Sequence, residues 1–159
     1  MANLEVVARE RKDRFHADPE RSFTMASRHY TSPEDYEREK EAIFYRSWNF
    51  IGHIGQLPDI GSYFACRVHD QNLFAVHGKD GVLRAFYNVC QHRGHELLKG
   101  AGRTKVITCP YHAWSYHIDG RLRTARGSEK VVGFDKSEFC LTQVRIENFC
   151  GFLFVNLDP

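Results

Sequence analysis

The sequence predicts an all-β domain, an antiparallel β-sandwich or barrel, that follows an N-terminal helical segment. Between positions 48 and 157, short runs of apolar, aromatic or β-branched residues alternate with turn signals, and this alternation is typical of antiparallel strands. Asp80-Gly81 and Asp119-Gly120 are hairpin signals within that region. The clearest helix signal, Ser32-Pro33, precedes the first of these runs.

The helical segment is predicted from its capping residues. Ser32 is a suitable N-cap, Pro33 fits the first helical position, and the acidic residues that follow favour the positive end of the helix dipole. We expect this helix to end before Trp48. A shorter surface helix is predicted over residues 4–16, where apolar residues recur on one side.

Eight segments carry the strand pattern. They are predicted at 48–54, 63–68, 73–77, 82–87, 106–109, 114–118, 141–146 and 149–157. The turn signals at Asp80-Gly81 and Asp119-Gly120 close two of the hairpins. Residues 124–138 are polar and weakly patterned, so we expect a connection there.

Composition excludes several classes of protein. The chain of 159 residues fits one domain, and its net charge of +2 comes without a basic run that would indicate nucleic-acid binding. No apolar run reaches the roughly 18 residues that a membrane span needs. The charged N-terminus lacks the apolar stretch of a signal peptide, so a cytoplasmic protein is expected.

The five cysteines agree with a reducing compartment, since an odd number does not form a complete disulfide framework. Cys66 and Cys150 lie in apolar, strand-like runs. A free thiol in such a run behaves as a small buried hydrophobe, and we expect both to be buried.

The candidate chemistry lies in two short motifs, Cys90-x-His92 and Cys109-x-x-His112, with 16 residues between His92 and Cys109. Each motif supplies one thiolate and one imidazole. Two thiolates and two imidazoles are the ligands of a [2Fe–2S] cluster in which two His replace two Cys on one iron. Close spacing lets one tight loop reach both irons, and Gly94 permits the backbone to approach a cluster.

A structural zinc site is the alternative, because two Cys and two His also satisfy one tetrahedral ion. The familiar zinc patterns place two to four residues between paired ligands, whereas Cys90 and His92 have one between them. The spacing therefore favours the two-iron cluster over zinc.

These motifs resemble the Rieske domain at the N-terminus of the α subunit of Rieske non-haem iron oxygenases. The resemblance rests on Cys-x-His-Arg-Gly at 90–94 and on Cys-Pro-Tyr-His-x-Trp at 109–114. It extends to the segments 30–33, 43–48, 61–64, 83–89 and 151–156, and it covers about residues 28–157.

The resemblance implies a Rieske-type β-sandwich with the cluster-binding loops at its tip. Cys90 and Cys109 would hold the buried iron, and His92 and His112 the outer iron of a Rieske-type [2Fe–2S] cluster. His112 would also hydrogen-bond a carboxylate that leads to the mononuclear Fe(II) of a neighbouring subunit. Electrons would come from an NAD(P)H-dependent reductase or a ferredoxin, and the whole subunit would form a homo-oligomer, a trimer.

Three further positions distinguish branches of the superfamily. Respiratory Rieske proteins carry a disulfide and a serine near the cluster, and the matching positions here are His95, Tyr111 and Trp114. The resemblance therefore places the chain in the oxygenase and ferredoxin branch. We expect a reduction potential toward the low end of the Rieske range of about −150 to +300 mV, with Trp114 and Tyr111 covering the cluster.

The expected function is electron transfer to the mononuclear iron of an O₂-dependent hydroxylase or demethylase, a mono- or dioxygenase acting on an aromatic acid or a quaternary amine. We expect residues 1–30 to form an extension and 31–159 the Rieske domain, with the catalytic domain absent, so that the chain is a fragment carrying no catalytic residue. A free-standing Rieske-type ferredoxin and a zinc-stabilised interaction module are the alternatives.

Overall fold

The computed structural model describes residues 16–158, in which the chain divides into two units, Met1–Phe44 and Tyr45–Pro159. The first unit contains two helices, α1 (Arg28–Thr31) and α2 (Pro33–Ala42). The hydroxyl of Ser32 accepts the Asp35 backbone N–H at 3.2 Å, which confirms the predicted N-cap. Most of the helix predicted over 4–16 lies outside the described residues.

The second unit is built from ten strands, all paired antiparallel. They are β1 (Asn49–His53), β2 (Ser62–Val68), β3 (Gln71–His77), β4 (Leu83–Tyr87), β5 (Ala101–Arg103), β6 (Val106–Thr108), β7 (Ser115–His117), β8 (Leu122–Thr124), β9 (Gln143–Phe149) and β10 (Phe152–Asn156). This architecture confirms the predicted all-β class.

The strands form two sheets. The larger sheet has the order β1-β10-β9-β4-β3-β2-β5, and the smaller one has the order β6-β7-β8. Phe74 and Phe86 of the larger sheet and Ile107 and Tyr116 of the smaller one belong to the same buried cluster. The space between the two sheets is therefore a continuous apolar core, as in a sandwich.

The predicted hairpin turns are present at Asp80-Gly81, between β3 and β4, and at Asp119-Gly120, between β7 and β8. Gly81 and Gly120 have φ values of 77° and 89°, the left-handed region that glycine tolerates. The connection after β8 contains a 3₁₀ turn at Lys136–Phe139 and is otherwise irregular. The prediction for 124–138 is thus confirmed in outline.

The last hairpin differs from the prediction. Phe149 was expected to begin the final strand, but it ends β9, and the turn falls at Cys150-Gly151. Cys150 is exposed with φ 51°, so the expectation that it is buried is wrong. Cys66 is partly buried and packs against two clusters of the core.

Among residues 16–158 the longest helix is α2, with ten residues. No helix in this part of the chain has the length and apolar character needed to traverse a bilayer. The boundaries predicted for the extension and the Rieske domain remain a prediction.

Candidate metal centre

The first candidate loop follows β4 and is closed by two backbone hydrogen bonds. The N–H of Cys90 donates to the His95 carbonyl at 2.8 Å, and the N–H of Gly94 donates to the Cys90 carbonyl at 2.9 Å. Gly94 has φ 69°. The loop therefore folds back on Cys90 and carries His92 at its outer part.

The second candidate loop joins β6 to β7 and repeats this backbone pattern. The N–H of Cys109 donates to the Trp114 carbonyl at 2.8 Å, and the N–H of Ala113 donates to the Cys109 carbonyl at 3.0 Å. Ala113 has φ 59°, at the position equivalent to Gly94. The two loops differ in sequence, yet each presents a Cys and a His on the same pattern of backbone hydrogen bonds.

The two loops bring their histidines together. The ring centroids of His92 and His112 lie 4.7 Å apart, with the ring planes at 71°. The Nδ1 atom of each ring is buried and has no hydrogen-bond partner. Buried polar atoms are normally paired. Two buried nitrogens without a hydrogen-bond partner are therefore suitable as metal ligands.

The two candidate cysteines lie in the core at the inner side of the loops. Cys90 and Cys109 are both 2% exposed, and they belong to the same buried cluster. Burial raises the pKa of Cys90, the largest of several effects on it. A bound metal would reverse this, since metal ligation deprotonates a thiol.

Tyr116 is a contributor that the sequence reasoning missed. Its buried hydroxyl accepts the Gln91 backbone N–H at 3.0 Å and lies 3.3 Å from the Cys90 sulfur. A thiolate carries no hydrogen, so the tyrosine must be the donor to a ligating Cys90. The signal was the alternation through and beside β7, in which every second residue, Trp114, Tyr116 and Ile118, is buried.

The surroundings of His92 favour its neutral form. Burial lowers the pKa of His92, and the neighbouring charges of His112 and Arg93 lower it further. Neutral imidazole is the form that binds metals. The electrostatics of the loop therefore suit a ligand role.

Trp114 covers the site on one side. Its indole, 5% exposed, stacks on the His92 ring at 4.8 Å with an interplanar angle of 8°. Tyr111 lies against the His112 ring at 3.8 Å but is 57% exposed. Of the two residues, Trp114 is the buried one and is placed to shield the interior from water, whereas Tyr111 forms part of the surface around the loops.

His95 lies beside the loop rather than between the candidate ligands. Its Nδ1 contacts the Glu96 carbonyl at 2.6 Å, and its ring is 5.6 Å from that of Tyr111. His95 therefore does not join the paired nitrogens of His92 and His112.

Asn88 fixes the base of the first loop, and no sequence pattern indicated this role. Its buried side chain accepts the backbone N–H groups of Leu97 and Leu98 and donates to the Leu98 carbonyl at 2.7 Å. The residue thereby connects the end of β4 to the segment that leaves the loop. Single-sequence reasoning lacks a signal for such a bridge, because it depends on a contact across the loop.

The donor set fits a two-iron cluster. In residues 16–158, no three His, Cys, Asp or Glu side chains are grouped as ligands of one metal ion. A [2Fe–2S] cluster with two protein ligands on each iron does not require such a group. Two paired nitrogens and two buried sulfurs meet its requirement.

Comparisons with known proteins agree with this reading. Residues 47–135, more than half of the chain, match the Rieske [2Fe-2S] domain family. A carnitine monooxygenase oxygenase subunit of Acinetobacter baumannii is 47% identical over 145 residues, which are 91% of this chain and 39% of that protein. The chloroplastic choline monooxygenase of Beta vulgaris is 33% identical over 140 residues, 88% of this chain and 31% of that protein.

Solved structures give the same relationship. A quaternary ammonium Rieske monooxygenase in complex with its substrate L-carnitine has a TM-score of 0.80 and 47% identity, covering 83% of this chain and 38% of that chain. Naphthalene 1,2-dioxygenase with indole bound has a TM-score of 0.77 and 31% identity. The match covers 81% of this chain and 30% of the dioxygenase chain. The chain spans about two fifths of the length of its carnitine relatives. On the family match and on this fold, the chain belongs to the Rieske [2Fe-2S] domain family.

Proposed function

We propose that this chain is the electron-transfer domain of an oxygenase subunit that acts on a quaternary amine. In this proposal Cys90 and Cys109 hold one iron of the [2Fe–2S] cluster, and His92 and His112 hold the other. The observation that carries it is the meeting of two unpartnered imidazole nitrogens and two buried sulfurs at one end of the core. A closed zinc site has no support from the family match.

When bound, the cluster supplies one-electron transfer. The chain's own residues set the conditions for this. The neutral imidazole of His92 adds no negative charge, the hydroxyl of Tyr116 donates toward the sulfur of Cys90, and the indole of Trp114 excludes water from one side. His112 would present its outer ring nitrogen toward the acceptor.

The substrate class is supported by the relatives. Carnitine, choline and glycine betaine, the compounds in their names, all carry a quaternary ammonium group, and the carnitine enzymes share 45–47% identity with this chain. The naphthalene 1,2-dioxygenases share 28–32% identity with this chain. We therefore favour a quaternary amine over the aromatic acid that the sequence left open.

An exposed aromatic face supports a larger subunit over a free-standing carrier. Trp48, Phe50, Phe149 and Phe152 are each about half exposed or more, and Phe50 packs edge-on against Phe152 and Phe154 at 5.9 and 5.8 Å. Exposed aromatic residues that cluster on one face are typical of an interaction surface. The occupant we propose is the remaining length of the subunit, which in the carnitine relatives is about three fifths of the chain.

In that remaining length we place a mononuclear Fe(II), held by two His and one carboxylate. The electron donor would be an NAD(P)H-dependent reductase or a ferredoxin. We further propose a trimeric assembly and a cytoplasmic location, the latter supported by five cysteines that form no disulfide.

The test is single turnover of the whole subunit. The protein is reduced with dithionite, freed of excess reductant, and mixed with O₂ and either carnitine, glycine betaine, choline or benzoate. We expect product and reoxidation of the cluster with a quaternary amine only. Cys90→Ser should abolish both, whereas Cys66→Ser should retain both.

Two results would contradict the proposal. Turnover of benzoate in preference to every quaternary amine would exclude the substrate class. A fully active Cys90→Ser variant would exclude the ligand assignment.

A further inference from the structure

The segment that follows β8 is joined to the candidate metal centre through aromatic contacts. Trp114, stacked on His92, meets Phe134 at 5.9 Å and Phe139 at 5.6 Å, both edge-on. Phe134 and Phe139 stack on each other at 4.8 Å. Both phenylalanines are partly exposed, so this aromatic set reaches from His92 to the protein surface.

The surface above these rings is a loop of consecutive turns, residues 126–133. The N–H of Val131 donates to the Ser128 carbonyl at 3.0 Å, and the N–H of Phe134 donates to the Val131 carbonyl at 3.4 Å. Val131 is 56% exposed and Val132 is 100% exposed. Two adjacent valines thus stand in solvent at the tip of a loop that is anchored beside Trp114.

Basic residues slightly outnumber acidic ones in the segment that carries the two valines: Arg123, Arg126, Lys130 and Lys136 against Glu129, Asp135 and Glu138. Arg126 and Lys130 lie in the loop and Arg123 precedes it, and in the described part of the chain none of the three lies within 4 Å of a carboxylate. The nearby Glu129 accepts the Gly127 N–H at 3.1 Å. An apolar centre with a polar, solvent-accessible rim is the usual composition of a protein–protein contact.

We propose that the 126–133 loop is the docking site of the electron donor, and that the donor presents an acidic surface with a small apolar centre. The inference rests on the proposed function, because only an electron-transfer domain needs a donor. Complementary charge raises the rate of encounter between two proteins. The aromatic side chains of Trp114, Phe134 and Phe139 then connect the bound donor to His92.

The transfer moves one electron and no atoms. The reduced one-electron centre of the donor is oxidised by one electron, and the Rieske centre is reduced by one. A reduced plant-type [2Fe–2S] ferredoxin is a suitable probe, since its reduction potential lies below the Rieske range.

The experiment measures the second-order rate of cluster reduction by this ferredoxin in a stopped-flow instrument. Lys130→Glu is compared with Lys79→Glu, which reverses the same charge on the β3–β4 turn at the far end of β4 from Cys90. We expect Lys130→Glu to slow reduction roughly three- to tenfold at low ionic strength, with the difference vanishing in about 1 M salt. Lys79→Glu should leave the rate within about twofold of the unaltered chain.

A second pair of variants tests the apolar centre. Val132→Ser should slow reduction by the ferredoxin, whereas Val82→Ser, at an exposed valine before β4, should not. If the two variants of either pair changed the rate of reduction by the ferredoxin equally, the proposed docking site would be wrong. A change in oligomeric state with Val132→Ser would assign the loop to a second copy of this chain, and that result would overturn it as well.

Reduction by dithionite separates the two proposals. If every variant is reduced normally by dithionite and the ferredoxin rates do not differ, the docking site alone fails. If the unaltered chain holds no cluster that dithionite reduces, the proposed function fails and the docking site fails with it.

Discussion

Tyr116 shows how one side chain can set the electronic properties of the site. Its hydroxyl is oriented by the Gln91 N–H, which it accepts, and its own hydrogen is then available to the Cys90 sulfur. A hydrogen bond to a ligand sulfur stabilises the more negative, reduced state of a cluster and so raises its potential. This contact counteracts the low potential expected from Trp114 at the serine position.

Tyr116→Phe should therefore lower the reduction potential. A hydrogen bond of about 0.5–1.5 kcal/mol corresponds to roughly 20–60 mV for one electron. The measurement is a redox titration of the cluster-loaded chain. Tyr63→Phe, which alters a tyrosine packed against the same core, is the control, and an equal shift in both variants would contradict the assignment.

Cys66 gives a prediction about alkaline stability. Burial raises the pKa of its thiol from the ordinary 9.0 to about 11. Between these values the folded chain binds more protons than the unfolded chain, so this contribution to stability is complete below pH 9 and is lost as pH rises through about 11.

Unfolding with denaturant at pH 8 and pH 11 tests this. The free energy of unfolding should fall more between the two pH values in the unaltered chain than in Cys66→Ala. If both fall by the same amount, the thiol does not titrate as described.

At the scale of elements, the two cluster loops share one backbone design with different residues at the fourth position after Cys. Gly94 tolerates its positive φ, whereas Ala113 adopts φ 59° at the cost of strain. The neighbourhood of Gly94 is open, since a Cβ there would meet nothing within 4 Å. A change at either position therefore tests backbone strain with little change in packing.

Ala113→Gly should stabilise the cluster-loaded chain by about 0.5–1 kcal/mol, and Gly94→Ala should destabilise it by a similar amount. Denaturant unfolding of both variants measures the effect. If both substitutions changed the free energy of unfolding in the same direction, the two loops would not share a position with a strained backbone.

How well the sequence predicted each element depended on whether local residues specify it. The Ser32 cap, the Asp-Gly turns and the long strands carry local signals, and all were found. The Cys150-Gly151 turn was missed because Cys is not a usual residue of a two-residue hairpin turn. β5 and β8 were missed because their sequences, Ala-Gly-Arg and Leu-Arg-Thr, hold at most one large apolar side chain and depend on pairing with a neighbouring strand. The equally short β6 and β7 were found because they lie within longer runs of apolar and aromatic residues.

The residues of the candidate site likewise fall into those with a local sequence signal and those that depend on contacts in the fold. The motifs indicated Cys90, His92, Cys109 and His112, and the fold brings the two motifs together. The contribution of Tyr116 and the bridge made by Asn88 depend on contacts across 26 and 10 residues of sequence. Such contacts become visible only once the two sheets have packed.

At the scale of the whole molecule, the sandwich places its functional features at separate regions of the surface. The loops hold the candidate ligands, the 126–133 loop is the docking site that we propose for the donor, and the aromatic face on and next to β1, β9 and β10 is the surface that we propose for the rest of a subunit. This separation would let a domain receive an electron and remain attached to the site that uses it.

The central claim is that the two motifs hold a [2Fe–2S] cluster with histidines on one iron. The most direct measurement is iron and acid-labile sulfide analysis of anaerobically purified protein, combined with pulsed electron paramagnetic resonance of the reduced state. We predict about two irons and two sulfides per chain, with hyperfine couplings from two ligand nitrogens that disappear in His92→Ala together with His112→Ala. Zinc without sulfide, or a cluster without nitrogen couplings, would contradict it.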